Sequence, residues 1–558
     1  MATKPGVLTN WPWKPLGNFK YAILAPWVVH STYSLLTHKG EKEADLFYLL
    51  IFPFLLTRVL HNQIWISLSR YRTAKGNNRI VDKGIEFDQV DRENNWDDQI
   101  ILNGLIFYLG NMIIPVASHL PLWRLDGLII TILLHIGPVE FLYYWFHRAL
   151  HHHYLYARYH SHHHSSIATE PITSVIHPFV EVVAYFLLFL IPLIAMVLTG
   201  TSSLVAALGY ITYIDLMNNM GHCNFELVPK WVFTAFPPLK YFMYTPSYHS
   251  LHHTQFQTNY SLFMPIYDYI YGTMDKSSDD LYEISLTRQE DSPDVVHLTH
   301  LTTTDSIYHL PLGFAYLASK PYASMWYLRI SVWPLTWFVG RTFVSERNVF
   351  NDKLKLQSWV VPRYTIHYLS KASQNGDLNK LIEDAILEAD KKGAKVDEEL
   401  NGNGELYIQR HPKLKTKVVD GSSLAAAIVV NSIPKETTQV LFTGKLSKVG
   451  HAIALALCLK GVQVATLNED VYNKLKLSLD SKFGNNLLLA QNYDQKHILH
   501  ADMVGGGGIE PNRTIQGKKG NIIPSIFQIP TKESARGLLL PHYSRHGSSQ
   551  ISWQLALL

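Results

Sequence analysis

The chain is 558 residues long, carries a formal net charge of only +4, and is 47% hydrophobic and 12% aromatic. That length leaves room for more than one domain. The near-neutral charge excludes a nucleic-acid surface, and two widely separated cysteines, Cys223 and Cys458, exclude a disulfide framework and fit a reducing compartment. A mean hydropathy of +0.01 is high for a soluble enzyme and averages a strongly apolar first part with an ordinary last part.

Met1–Lys20 holds Trp11, Pro12, Trp13 and Pro15, with no apolar run ahead of a small-residue cleavage site, so no removable signal peptide is expected. Six apolar segments follow: Tyr21–Leu36, Leu46–Leu68, Ile100–Ala117, Leu128–Phe146, Phe179–Leu198 and Leu204–Met217. A bilayer span takes about 20 residues. The second, fourth and fifth segments are long enough, and the first and sixth are short enough to be re-entrant or interfacial. Short connections pair them as three hairpins. Arg70, Arg72, Lys75, Arg79 and Lys83 follow the second segment, and Lys4, Lys14 and Lys20 precede the first, which puts both places on the cytoplasmic side. Each hairpin then returns the chain to that side, and the sequons at Asn259 and Asn512 are expected to stay unglycosylated.

Three histidine clusters follow the second and third hairpins: His147-x3-His151, His160-x2-His163-His164 and His249-x2-His252-His253. Residues three and four apart share a helix face, so each cluster can aim two or three imidazoles at one point. Together they supply eight, whereas a structural zinc site needs about four ligands. Eight nitrogens suit two metals side by side. Imidazole accepts zinc, copper, nickel or iron, and the membrane setting favours a di-iron, oxygen-activating centre. His152, His153 and His162 fall off the shared faces and read as solvated.

Glu140 lies seven residues before His147, and Asp215 seven before His222. Seven residues is about two helical turns, so each acid shares a face with its histidine. Two readings stand for both: a carboxylate that orients a metal-bound imidazole, or an acid that solvates a helix end. His177, followed by Pro178 and Glu181, is either a further ligand or a hydrogen-bonded helix-start residue, and His222 is a similar case. His30, His61 and His135 read as structural. Around the third cluster Phe236, Tyr241, Phe242, Tyr244, Tyr248, Phe256, Tyr260 and Phe263 suit a membrane interface where a long acyl tail could enter from lipid.

Val332–Val339 is a last apolar patch and Asn379–Lys392 an amphipathic helix. The run Val440–Leu467 reads strand, turn, helix, strand. Thr443-Gly444-x5-Gly450 looks like a dinucleotide-binding turn, but Lys448 stands where the middle glycine belongs. A Rossmann-like fold without nucleotide is expected, and NAD(P) is not.

At these residues the chain resembles the fatty acid hydroxylase superfamily of membrane di-iron enzymes, marked by HxxxH, HxxHH and HxxHH, and by Asp268-Tyr-Ile-Tyr-Gly272-Thr273. It resembles more closely the plant very-long-chain aldehyde decarbonylases of cuticular wax synthesis. The strings that carry this are Trp11-Pro-Trp13, His61-Asn-Gln-Ile-Trp-Ile-Ser-Leu-Ser-Arg70, Arg79-Ile-Val-Asp-Lys-Gly84, Asn95-Trp-Asp-Asp98, Thr169–His177, Asn218–Glu226, Val295–Thr302 and Gln357–Pro362. The resemblance implies an endoplasmic-reticulum enzyme that turns very-long-chain aldehydes into alkanes one carbon shorter. It implies two iron ions, electrons from cytochrome b5 and a complex with a reductase-like wax protein; homo-oligomerisation stays open. Two departures stand out: the chain lacks a strand and glycine-rich turn between Val396 and Glu399, and it drifts from the family after about Gln491.

The expected architecture is mostly α: a multi-pass helical membrane domain with a cytosolic histidine-rich di-iron site (residues 1–330), an interfacial and linker region (331–430), and a smaller α/β, Rossmann-like C-terminal domain (431–558) altered after about 490. Fatty acyl or sterol hydroxylation at the same centre, and a non-catalytic scaffold role, are the alternatives. The intact histidine set argues against the scaffold.

Overall fold

This computed structural model describes residues 6–9, 16–37, 46–83, 98–114, 120–301 and most of 341–503. The patch Val332–Val339, the run Gly505–Gly508 and the sequon at Asn512 lie outside the described residues. The chain divides into two compact units. The first comprises Met1–Asp291 with two short later pieces, and the second Ser292–Thr304, Thr336–Phe343 and Asn348–Leu558.

All six apolar segments form helices in the first unit: α1 (Ala25–Thr37), α2 (Leu46–Lys75), α3 (Asp98–Ile113), α4 (Leu125–Leu150), α5 (Phe179–Leu198) and α6 (Leu204–Gly221). Of the described helices, α4 and α5 are long and apolar enough to cross a membrane. Shorter described helices of the unit include α7 (Lys230–Ala235), α8 (Pro246–Gln255), α9 (Ile266–Tyr271) and α10 (Ser278–Thr287). Within α4 the ladder widens to a π turn at His135–Val139. Pro138 explains it: proline offers no N–H to the preceding turn, and the register slips by one residue. The slip turns His135 inward, where its Nδ1 lies 3.1 Å from the Tyr210 hydroxyl.

α2 is built inside out. Leu56, Leu60 and Ile64, one turn apart, are exposed, while Arg58, Asn62, Gln63, Ser69, Arg70 and Thr73 are buried. Each buried charge has a partner: Arg58 grips Asp215 of α6 through two bonds of 2.6 and 2.8 Å, and Arg70 meets Glu170 at 3.1 Å. Asn219 of α6 donates to Asn62 at 2.7 Å. Apolar outside and paired polar inside is the arrangement expected of a helix whose outer solvent is not water.

The second unit holds two sheets. One has five strands, β1 (Val295–Leu301), β2 (Phe343–Phe350), β3 (Leu354–Tyr364), β4 (Val396–Glu399) and β5 (Lys417–Asp420), in the order β2-β3-β1-β4-β5. β1 pairs in parallel with β3 and β4. The linker expected at 331–430 is therefore corrected. That stretch carries four of these strands with α11 (Asp377–Lys391) and α12 (Glu405–Arg410). The boundary at 330 also moves, because alternating Val296 and Leu298, both 0% exposed, fix β1 in this sheet. α11 follows the expected amphipathic run and buries Leu378, Ile382, Ala385, Ile386 and Ala389 on one face.

The other sheet is formed by β6 (Gln439–Gly444), β7 (Gln463–Thr466), β8 (Leu487–Leu489) and β9 (Leu499–Met503), ordered β8-β7-β6-β9 with every pair parallel. α13 (Lys448–Leu459) and α14 (Glu469–Ser478) connect its strands, and Val440, Phe442, Leu457, Cys458, Val464 and Leu475 form its core. Both cysteines are free and buried.

The Arg58–Asp215 pair gives a direct test. Asp215→Asn leaves a buried guanidinium without its counter-charge, and removing one partner of such a pair costs about 3–5 kcal/mol. Thermal unfolding in detergent should show that loss, with unchanged metal content in the protein that remains folded.

Candidate metal centre

The site is assembled from five pieces of the first unit. α4 carries His147 and ends on His151. A π turn, Tyr156–His160, presents His160, and a 3-10 turn, His163–Ser165, presents His163 and His164. α6 ends on His222. α8 carries His249, His252 and His253; it starts at Pro246 under a Thr245 cap and stops at Phe256, whose left-handed φ of 65° breaks the helix. Gly221, beside His222, is required by packing, since a Cβ there would collide with the Tyr244 hydroxyl. Glu226 ties the turn after His222 to α8 by accepting from the Ser247 hydroxyl at 2.6 Å and from its amide at 3.1 Å.

Nine imidazoles divide into two groups whose ligand atoms lie within 4.8 Å of one another: His147, His151, His160, His164 and His252, then His163, His222, His249 and His253. Both HxxHH clusters are split between the groups. Neighbouring residues on a helix point about 100° apart, so His252 turns to one group and His253 to the other, while His249 and His253, one turn apart, stay together. His163 and His164 separate likewise on the tighter 3-10 turn. All nine are buried except His151, which is half-buried.

Hydrogen bonds decide where each proton sits. Nδ1 of His147 faces the Tyr260 carbonyl at 2.8 Å, His163 the Thr173 carbonyl at 2.9 Å, His222 the Asn218 carbonyl at 2.8 Å and His252 the Thr258 carbonyl at 2.8 Å. Nδ1 of His160 faces the Glu181 carboxylate at 2.7 Å. A carbonyl or carboxylate only accepts, so these Nδ1 atoms carry the hydrogens and their Nε2 lone pairs point inward. The inward atoms crowd one another: His147 and His160 Nε2 are 3.0 Å apart, His164 and His252 3.2 Å, and His222 and His249 3.1 Å. In the two pairs whose Nδ1 atoms are both anchored, His147–His160 at 3.0 Å and His163–His222 at 3.3 Å, lone pair faces lone pair; with partnerless buried nitrogens at His151 Nε2 and both ring positions of His253, they fit bound cations.

Burial, reinforced by neighbouring imidazoles, pushes His163, His164, His249 and His253 well below the ordinary histidine value. Burial likewise holds His222 and His252 at about 3. They are neutral at physiological pH, the state a metal needs.

The structure corrects the expected roles of Glu140 and Asp215. Neither touches an imidazole of either group. Glu140 accepts the Phe263 amide at 3.1 Å and lies 3.4 Å from His135, and Asp215 holds Arg58. Seven helical residues put two side chains on one face but about 10 Å apart, beyond a short carboxylate's reach. The acid that meets a cluster imidazole is Glu181, which also accepts from Tyr185 at 2.9 Å and lies 3.2 Å from His177. His177 stands in neither of these groups but forms a third with His160 and Glu181; its ring stacks on His163, with centroids 4.6 Å apart, and its Nε2 faces the Ser174 carbonyl. Glu181 was legible as an acid one turn after His177; the carbonyl partners carry no sequence signal. Asn259 is fully buried, with its side chain bonded to Tyr248, Ser278 and Asp275. Its lack of glycan would therefore say nothing about sidedness.

A two-group, all-imidazole cluster on apolar helices defines a histidine-ligated metalloprotein of the hydroxylase kind. Residues 99–273, which contain all nine imidazoles, match the family described as fatty acid hydroxylase, and residues 440–537 match the CER1-like C-terminal domain. The chain is 58% identical to very-long-chain aldehyde decarbonylase CER1 of Arabidopsis thaliana, over 96% of its own length and 87% of that relative. It is 57% identical to very-long-chain aldehyde decarbonylase GL1-5 of Oryza sativa subsp. japonica, over 95% and 87%, and 55% identical to protein CER1-like 1 of Arabidopsis thaliana, over 95% and 86%. The chain belongs to the very-long-chain aldehyde decarbonylase family.

The partition predicts distinct metal losses. His222→Ala should behave like His249→Ala, lowering bound metal from about two ions per chain to about one, because each strips the same group; elemental analysis of purified protein reads this directly. His177→Ala should retain both ions.

Acid should destabilise the metal-free protein. Unfolded histidines titrate near 6.5, whereas His163, His164, His222, His249, His252 and His253 titrate lower in the folded chain, so below that pH the unfolded state binds more protons and stability falls as pH falls. The expected loss is about 1.4 kcal/mol per buried imidazole near pH 5.5, visible as a falling melting temperature between pH 7 and 5.5.

Proposed function

We propose that this protein converts very-long-chain fatty aldehydes to alkanes one carbon shorter, in the making of cuticular wax, with two iron ions held by the nine imidazoles. The observation that carries it is the pair of adjacent imidazole groups in a chain 58% identical to a very-long-chain aldehyde decarbonylase over nearly its whole length. Iron suits imidazole ligands and, when bound, supplies the redox chemistry that cleavage of an unactivated carbon chain requires.

The chain's own contribution is placement. The five Nδ1 anchors hold the rings rigidly, Glu181 fixes His160 and stands beside His177, and burial keeps water from the reacting carbon. The aromatic surroundings of α8 suit a long tail arriving from lipid.

The setting proposed is the endoplasmic-reticulum membrane, crossed several times, with the metal centre and the second unit cytosolic. The apolarity of α4 and α5 and the inverted faces of α2 support it. Electrons from cytochrome b5 and a complex with a reductase-like wax protein belong to the same reading and rest on the resemblance alone. For the last part of the chain we propose a Rossmann-like domain, on the strength of its β8-β7-β6-β9 parallel order, and no bound NAD(P), because Lys448 stands where the middle glycine of the dinucleotide turn belongs.

Expression in yeast supplied with very-long-chain aldehydes tests the activity by gas chromatography of extracted lipid. Alkanes one carbon shorter than the substrate are expected. A hydroxylated lipid would mean a hydroxylase instead, and no product without an added homologue would mean a scaffold.

A further inference from the structure

The proposed chemistry consumes electrons, and the first imidazole group has a packed aromatic route to the surface. We infer that Trp145, Tyr271, Tyr144 and Tyr260 carry electrons inward to that group, and that the exposed face around Arg148 docks a one-electron carrier protein bearing carboxylates. This rests on the iron-dependent reading above.

Trp145 is 43% exposed and Tyr271 37%, and their rings meet at 5.0 Å. Tyr271 stacks on Tyr144 at 5.0 Å with 20° between planes. Tyr144, fully buried, reaches Tyr260 at 6.3 Å. Tyr260 then contacts His151 at 5.3 Å, His252 at 5.7 Å and His147 at 6.0 Å, three members of one group. Each step lies in the range of packed aromatic pairs. The second group's aromatic contacts lead from His249 to Tyr244 and Phe263, and from His163 through His177 to Tyr185; Tyr244, Phe263 and Tyr185 are buried.

Two features favour electrons over a substrate tail on this route. Tyr144 and Tyr260 fill it, with relative exposures of 0% and 7%, so no chain can pass. Its mouth is also charged. Arg148 is exposed, donates to the Tyr144 hydroxyl at 3.2 Å, covers the Trp145 ring at 5.4 Å, and forms no ion pair among the described residues. A guanidinium laid over the outermost ring offers a docking contact to a carboxylate at the place where the path begins. One electron leaves the carrier and one arrives at the first group; the rings tunnel it without being oxidised, and no proton moves.

The test uses the full-length, iron-loaded protein in detergent with reduced cytochrome b5 as the carrier, its reoxidation followed by haem absorbance. Titanium(III) citrate serves as a small reductant that needs no docking. Binding of the carrier is measured separately on metal-free protein. Arg148→Glu should weaken carrier binding about tenfold, the scale of one lost charge contact, and Arg148→Lys should restore most of it. Trp145→Leu with Tyr271→Leu should slow haem reoxidation even at saturating carrier, where docking no longer limits the rate. Titanium should reduce all variants at the wild-type rate. Wild-type haem reoxidation in both Arg148→Glu and the double variant, or equal slowing with both reductants, would overturn the path while leaving the decarbonylase reading in place. If titanium cannot reduce the wild-type protein at all, the iron-dependent reading falls and the path with it.

Discussion

The metal centre depends on hydrogen bonds made by the outer edge of each imidazole. Four main-chain carbonyls and one carboxylate fix the Nδ1 protons of His147, His163, His222, His252 and His160. Once those protons are placed, the Nε2 lone pairs have nowhere to point but at one another, and the cluster becomes a repulsive assembly that cations relieve. The protein must therefore hold it together by other means. Glu226 clamps α8 to the turn after His222. Asp268 fixes the Tyr260 loop by accepting the Tyr260 and Ser261 amides at 2.8 and 2.9 Å, and Tyr260 in turn supplies the carbonyl for His147. The stability of these clamps offsets the crowding they impose, a common arrangement at functional sites.

Much of this was legible in the chain, for reasons that differ by element. The six helices announced themselves through continuous apolar runs, and the histidine clusters through spacing that matches a helical face. The division of each HxxHH cluster between two groups was less visible, because spacing places side chains on a face without saying that two targets lie on either side of it. His222, alone in Gly221-His222-Cys223, showed no cluster at all; only the fold brings it to His249. The partner of Asp215 lies 157 residues away on α2, and no local rule points there. The five-stranded sheet escaped because β1 pairs in parallel with strands far along the sequence, and short parallel strands separated by long crossings leave little periodic trace.

The two acids spaced two helical turns from cluster histidines serve the scaffold instead. Glu140 engages a main-chain amide of the loop that leads to α9, and Asp215 neutralises a guanidinium between α2 and α6. Both positions lie on the helical face that looks toward the metal groups, which is why periodicity selected them. Reach, rather than direction, separated Glu181 from the other two.

The Arg58–Asp215 pair also bears on how such a chain is made. If α2 enters a bilayer during synthesis, Arg58 arrives well before its counter-charge: at about 5–20 residues per second, Asp215, 157 residues further on, takes roughly 10–30 s to appear. A lone guanidinium at that depth is costly. In that case the guanidinium stays without its counter-charge until α6 emerges, and the pairing that settles α2 is made late relative to the helix's own synthesis.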